Sequence, residues 1–71
     1  MKSIEIKTGQ IRYDQTLKIF YIVLEKLNTF SREGGDYKVM VLADVEESFT
    51  AGDLQAWTAN MMIRDEVVSE P

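Results

Sequence analysis

The sequence contains no cysteine and no histidine, and these two absences exclude much chemistry. Without cysteine the chain can form no disulfide, and without either residue it lacks the usual protein ligands of zinc, copper and haem. Acid–base catalysis most often uses histidine, and covalent catalysis most often uses serine or cysteine beside a histidine. We therefore predict a protein that is not an enzyme and that holds no cofactor or metal.

Long apolar runs are also missing. The longest, residues 19–24, has six members, whereas a membrane-spanning helix needs about 20 apolar residues. The N-terminal residues lack the apolar stretch of a signal peptide. We therefore expect a cytoplasmic protein that does not associate with membranes.

The chain is short, with 71 residues and one proline, and 45% of its residues are hydrophobic. This composition is typical of a folded chain, and the length predicts a single domain over residues 1–71. Residues 66–71 are expected to form a frayed acidic tail. A core of this size contributes only about 3–5 kcal/mol of stability unless something reinforces it. Since disulfides are excluded, we expect a homo-oligomer, most simply a dimer.

Charge is divided unevenly along the chain. Residues 1–32 carry six lysines and arginines against three acids, a balance of +3, and residues 33–71 carry two against nine acids, a balance of −7. The two balances sum to the net charge of −4. An acidic surface of this kind favours a partner protein with a basic surface over nucleic acid or anionic lipid.

Residues 3–13 have the alternating pattern of a β-hairpin. Thr8 and Gly9 offer a two-residue turn, and glycine tolerates the positive φ that such turns need. That register would place Ile6 opposite Ile11. A single strand followed by a loop is the alternative for this segment.

Residues 14–32 predict the main helix. Asp14 is a suitable N-cap, and Gly34 and Gly35 lie just beyond the C-terminal end. A strand over residues 18–24 is the alternative, because this stretch is rich in β-branched residues. One apolar stripe runs along the predicted helix at i, i+4, i+7 spacing, formed by Tyr13, Leu17, Phe20, Leu24 and Leu27.

The C-terminal half predicts a strand and a second helix. Residues 37–43 alternate as a strand does, and Thr50 with Asp53 matches a capping box that would begin a helix over residues 51–64. The predicted element order is therefore ββαβα, or βαβα without the hairpin, which gives an α+β fold. Size and element order are similar to those of small phage or plasmid accessory proteins, including antitoxins and inhibitors of host enzymes, although no motif accompanies the likeness.

The predicted helices carry more apolar surface than a small sheet can cover. A surplus of this kind usually marks a contact surface. We predict a dimer or partner interface formed by Ile19, Ile22, Val23, Phe30 and Met62.

Four acids between the predicted strand and the second helix form a candidate contact for a basic partner. We name this group the acidic edge, and its members are Asp44, Glu46, Glu47 and Asp53. Their spacing lacks the glycine and the closing glutamate of a calcium-binding EF-hand loop. Carboxylate-pair catalysis is the enzymatic alternative at this position.

These observations predict a small acidic protein-interaction module that binds and modulates another protein as an inhibitor or accessory factor. One alternative is a dimeric antitoxin-like or transcriptional module that touches DNA through the basic N-terminal hairpin, with Lys2, Lys7 and Arg12 near phosphates. A second alternative is a nucleic-acid mimic that presents its acids to a DNA-binding protein.

Overall fold

An antiparallel sheet of five strands organises the part of the chain that the computed structural model describes, residues 5–27 and 36–71. The order across the sheet is β4-β3-β2-β1-β5, and one helix, α1, lies between β4 and β5 in the chain. The strands are β1 (Ile11–Asp14), β2 (Ile19–Leu27), β3 (Asp36–Asp44), β4 (Leu54–Thr58) and β5 (Glu66–Ser69), and α1 spans Ala59–Met62.

The prediction of an α+β fold with two helices is wrong. Strands take up 52% of the described residues and helix only 7%. The strand predicted over residues 37–43 is confirmed, because it lies within β3. The described part of the first predicted helix forms a turn and β2, and its residues 28–32 lie outside the described part of the chain. The second predicted helix is replaced by a turn and β4, and only α1 within it is helical. The likeness to α+β accessory proteins loses its basis with these two helices.

The predicted main helix is wrong because β2 is apolar on both of its faces. Along β2, fully buried Ile19, Tyr21 and Val23 alternate with half-buried Phe20 and Ile22. A strand of this kind is a continuous apolar run, which also places apolar residues at helical spacing. Periodicity alone therefore cannot distinguish it from a buried helix, and the β-branched content was the better guide.

Asp14 begins a turn where the sequence predicts the start of a helix. Its Oδ1 accepts hydrogen bonds from the backbone N–H groups of Thr16 at 2.8 Å and Leu17 at 3.0 Å. Lys18 has a positive φ of 58°, and its N–H donates to the carbonyl of Asp14 at 2.7 Å. The chain therefore reverses into β2, because an aspartate side chain caps a turn as readily as a helix.

The predicted second helix is wrong for a similar reason. Thr50 N–H donates to Oδ2 of Asp53, and Asp53 N–H donates to the carbonyl of Thr50, each at 3.0 Å. One of the two capping-box hydrogen bonds is thus present, that from Thr50 N–H to the Asp53 carboxylate, while Asp53 N–H bonds to a backbone carbonyl as in a turn. Gly52, at φ 94°, completes this turn, which leads to β4. The helix begins later, where Thr58 Oγ1 accepts from the N–H of Met61 at 3.3 Å.

The N-terminal hairpin does not form among the described residues. The turn at Thr8 and Gly9 is present, with Gly9 at φ 87°, but Ile11 pairs with Ile22 of β2 instead of Ile6. The first residues of the predicted hairpin, 3 and 4, lie outside the described part of the chain. At the other terminus, the residues expected to fray supply β5, which pairs with β1.

One face of the sheet carries the hydrophobic core. Three separate segments outside the strands pack onto it, through Ile6 before β1, Phe49 between β3 and β4, and Met62 of α1. The rest of this core consists of strand residues, namely Ile19, Tyr21, Val23, Val39 and Trp57, with Tyr37 packed against them.

The second face of the sheet is apolar but is left half-buried. Ile11, Ile22, Met40 and Leu54 are register partners in succession, so they form one row across four strands. Beside this row lie the rings of Tyr13 and Phe20, whose centroids are 4.5 Å apart. None of these side chains is fully buried. We call this surface the open face and define it by Ile11, Tyr13, Phe20, Ile22, Met40 and Leu54.

Gly52 should be sensitive to substitution although its surroundings are open. No atom lies within 4 Å of a Cβ built at this position, so only the positive φ opposes a side chain. We expect Gly52→Ala to lower the free energy of unfolding by about 1–2 kcal/mol. Gly52→Asn should cost less, because asparagine tolerates this conformation. Urea denaturation followed by circular dichroism measures both, and equal losses would contradict the argument from φ.

Candidate functional site

The most constrained polar group in the structure is the guanidinium of Arg12. Arg12 lies in β1 on the core face, opposite Tyr21 of β2, and is fully buried. One terminal nitrogen donates to Gln10 Oε1 at 2.6 Å, and the other donates to the carbonyls of Met62 at 2.9 Å and Asp65 at 3.1 Å. Its Nε has no hydrogen-bond partner among the described residues. The guanidinium therefore ties β1 to the end of α1 and the segment that leads to β5.

Gln10 extends this network towards both termini of the described structure. It is fully buried, and its Nε2 donates to the carbonyl of Glu5 at 3.3 Å and to the carboxylate of Glu70 at 3.4 Å. Glu70 also lies 4.0 Å from the ammonium of Lys7, with both side chains about half exposed. Gln10 thus relays the interaction from the buried guanidinium to a surface ion pair.

The second polar contact of the core joins Tyr21 to Asp65. The Tyr21 hydroxyl donates a hydrogen bond to Oδ2 of Asp65. The opposite side of the Tyr21 ring meets Trp57, with ring centroids 4.7 Å apart and planes at 73°, which is an edge-to-face arrangement. Tyr21 is therefore held by an aromatic contact on β4 and a carboxylate beyond α1.

This environment changes the pKa of both partners. Burial raises the pKa of Tyr21 well above its ordinary value, and the adjacent Asp65 carboxylate adds to the rise while Arg12 opposes it. Burial also raises the pKa of Asp65 to about 6, and the charge of Asp14 acts in the same direction. The hydrogen bond from Tyr21 and the charge of Arg12 lower the pKa of Asp65 in part.

The hydrogen bonds of these groups join separate elements of the fold. A perturbed pKa can mark a functional site, but structural networks perturb pKa values in the same way. Arg12 donates to Gln10 and to two backbone carbonyls, those of Met62 and Asp65. We therefore interpret the network of Gln10, Arg12, Tyr21 and Asp65 as a structural tie.

Two further features are absent from the described residues. No group of three or more acidic side chains there is placed to hold a metal ion. Within residues 5–27 and 36–71, no helix has the length and apolar character to cross a membrane.

The acidic edge lies in the connection between β3 and β4, and its members have different roles. Asp44 accepts from the N–H groups of Glu46 at 2.8 Å and Phe49 at 2.7 Å, and Asp53 accepts from that of Thr50. Both aspartates therefore shape the loop from within. Glu46 and Glu47 are exposed, and Glu46 lies 3.3 Å from the ammonium of Lys18. Glu46 and Glu47 are thus the exposed members of the acidic edge, whereas Asp44 and Asp53 are half-buried.

The residues predicted as a dimer interface are mostly inside the chain. Ile19, Val23 and Met62 are fully buried in the core of a single molecule. Ile22 is half-buried on the open face, and Phe30 lies outside the described residues. The prediction placed four of these residues, all except Met62, on one helix. In β2, by contrast, Ile22 points to the opposite face from its neighbours Tyr21 and Val23.

The basic N-terminal surface predicted for DNA contact is also rearranged. Arg12 is buried and donates to protein carbonyls, so it does not face solvent. Lys7 is exposed beside Glu70, and Lys2 lies outside the described residues.

Sequence analysis missed the Arg12 network because the alternating pattern of β1 assigns the wrong side chains to the core. In an isolated strand, Ile11 and Tyr13 would face the core, and Arg12 would face water. In the folded sheet Ile11 and Tyr13 lie on the open face, and the Arg12 side chain lies on the core face. The carbonyls that hold Arg12 in this orientation, those of Met62 and Asp65, are remote in sequence.

Comparisons with known proteins give no further identification. No protein-family model matches the sequence, and searches of curated proteins and of solved structures find no significant match.

Replacing Arg12 with lysine should destabilise the fold although the charge is retained. Lysine lacks the planar fork that reaches Gln10, Met62 and Asp65 together, so buried acceptors lose their donors. We expect a loss of about 1–3 kcal/mol in the free energy of unfolding. The matched control is Arg64→Lys at an exposed position, which should stay within about 0.5 kcal/mol of the wild type. Equal urea midpoints for the two variants would contradict the role given to Arg12.

Asp65 should impose a pH dependence on stability. Its pKa is about 6 in the folded chain against an ordinary value of 3.8, so the folded state keeps its proton to higher pH. The contribution is complete below the ordinary value and is lost as pH rises through the folded value. We expect the free energy of unfolding of the wild type, minus that of Asp65→Asn, to fall between these two values and to level off above them. A difference that rises with pH would contradict the assignment.

Proposed function

We propose that this chain is a non-catalytic module that binds another protein and modulates it. The observation that carries the proposal is the open face, an apolar surface spanning four strands in which no side chain is fully buried. Five of its six members are half-buried and Leu54 is 54% exposed. Contiguous apolar surface that stays accessible to solvent often marks a contact site in a soluble protein. The absence of histidine and cysteine from the sequence agrees with a role that requires no catalytic group.

The composition of the open face suits protein binding. It includes two aromatic side chains and a methionine, Tyr13, Phe20 and Met40, which are residue types enriched in protein interfaces. The aromatic pair is already in contact within the free chain. Little side-chain ordering is therefore needed on binding, and preorganisation of this kind favours affinity.

The loop between β3 and β4 supplies a second contact for a basic surface. The carboxylates of Asp44 and Asp53 fix its backbone by accepting N–H donors at 2.7–3.0 Å. Glu46 and Glu47 are thereby presented from a defined loop. Charges at the rim of an interface mainly raise the association rate and select the partner, so this loop would steer a basic protein towards the open face.

The open face can be tested by making it polar without changing the strands. We expect the double variant Ile22→Thr, Met40→Thr to lose the partner that the wild-type chain retains from an extract of the cells that express it. Threonine favours strands, so the sheet should form, as checked by circular dichroism and urea denaturation. The matched control is Leu17→Thr, which makes the same kind of change in the turn between β1 and β2, outside both proposed contacts, where Leu17 is 39% exposed.

The outcomes separate the two contacts. Glu46→Lys with Glu47→Lys should slow association with that partner and remove the salt dependence of the rate, while dissociation changes little. Retention of the partner by the folded Ile22→Thr, Met40→Thr variant would refute binding through the open face. Failure of the wild-type chain to retain any specific protein would refute the proposed function.

A further inference from the structure

We propose that β4 pairs edge to edge with β4 of a second copy of this chain, so that two five-stranded sheets join into one. The proposal does not depend on the open face binding another protein. It follows from a comparison of the two edge strands, from the backbone groups that β4 leaves unpaired and from the charge of the chain.

The two edges of the sheet are built differently. The β5 edge carries Glu66, is followed by Glu70 and Pro71, and pairs with β1 through a register shift. Charge, proline and irregular register are the devices by which proteins protect a sheet edge from pairing. The β4 edge has the sequence Leu-Gln-Ala-Trp-Thr, with no charge, no proline and a regular register against β3.

The backbone of β4 offers donors and acceptors to a further strand. The N–H of Val41 in β3 donates to the carbonyl of Asp53 at 2.9 Å. Because hydrogen-bonded pairs alternate along an antiparallel ladder, the next pairs are those of Gln55 and Trp57 with β3. The N–H and C=O groups of Leu54 and Ala56 therefore point away from the sheet. Both residues are exposed.

An uncharged edge strand can accept a second copy of this chain as its occupant. Each chain has a net charge of −4, so two copies repel each other on average. An uncharged strand is the part of the sheet edge at which they can meet without opposing like charges. Two-fold symmetry makes the two β4 strands antiparallel, which also sets their flanking Asp53 carboxylates at opposite ends of the pair.

Exposed apolar side chains are concentrated beside this edge. Leu54 is 54% exposed, and Met61 and Ile63, at the helix that follows β4, are 52% and 40% exposed. Leu54 is also the last member of the apolar row on the open face. Pairing of two β4 strands would therefore cover part of this apolar surface and continue the row into the second copy.

The first test is the mass in solution, measured by light scattering on a sizing column over a wide range of concentration. We expect the wild type to have twice the mass of one chain at high concentration. Ala56→Lys should halve that mass, because it places like charges opposite each other across the two-fold axis. The matched control is Val68→Lys on β5, a position that is 52% exposed, and it should remain a dimer.

Amide hydrogen exchange locates the contact even if a variant misfolds. In the wild type, the amides of Leu54 and Ala56 should exchange slowly at high concentration and rapidly on dilution. Those of Gln55 and Trp57, bonded to β3, should stay protected at both. A monomer at all concentrations would overturn the proposal, as would a dimer whose Leu54 and Ala56 amides exchange rapidly. A dimer lost in Ile22→Thr, Met40→Thr but kept in Ala56→Lys would place the contact on the open face instead.

Discussion

The structure depends on satisfying one buried positive charge. Arg12 is fully enclosed, and such a group is stable only when its donors find acceptors inside the chain. Those acceptors are the carbonyls of Met62 and Asp65 and the side chain of Gln10. The contacts position the segment after α1, which in turn sets Asp65 beside Tyr21 and delivers β5 to the free side of β1. Arg12, the second residue of β1, thus helps to fix the position of β5, the last strand of the sheet.

A second recurring device is the use of aspartate side chains to shape turns. Asp14, Asp44 and Asp53 each accept backbone N–H groups two to five residues away. Several acids of the chain therefore accept hydrogen bonds within its own loops. Fewer carboxylates of residues 33–71 are free for other contacts than the charge balance of −7 suggests. Glu46 and Glu47 are the members of the acidic edge that remain on the surface.

The open face and the β4 edge give the molecule two surfaces of different physical kinds. The first is a patch of side chains that would bind the proposed partner by burying apolar area, whereas the second is a row of backbone groups that would require another strand. They meet at Leu54. A dimer formed through β4 would continue the open face into the second copy and cover only the part beside Leu54, so the two proposed contacts are compatible in one molecule.

The sequence by itself determined the local features of this protein. It indicated the strand that became β3 and the turn at Thr8 and Gly9, because each depends on residues close together in the chain. It also indicated that Asp14 and Asp53 accept backbone N–H groups, although they do so in turns and not at the starts of the predicted helices. The exclusion of disulfides follows from composition alone. Whether a capped segment continues as a helix or turns into a strand was decided by tertiary structure. The apolar run of β2 fits either conformation, and only its pairing with β1 and β3 selects the strand. The inward orientation of Arg12 likewise requires carbonyls 50 and 53 residues away, a distance in sequence over which no local pattern carries information.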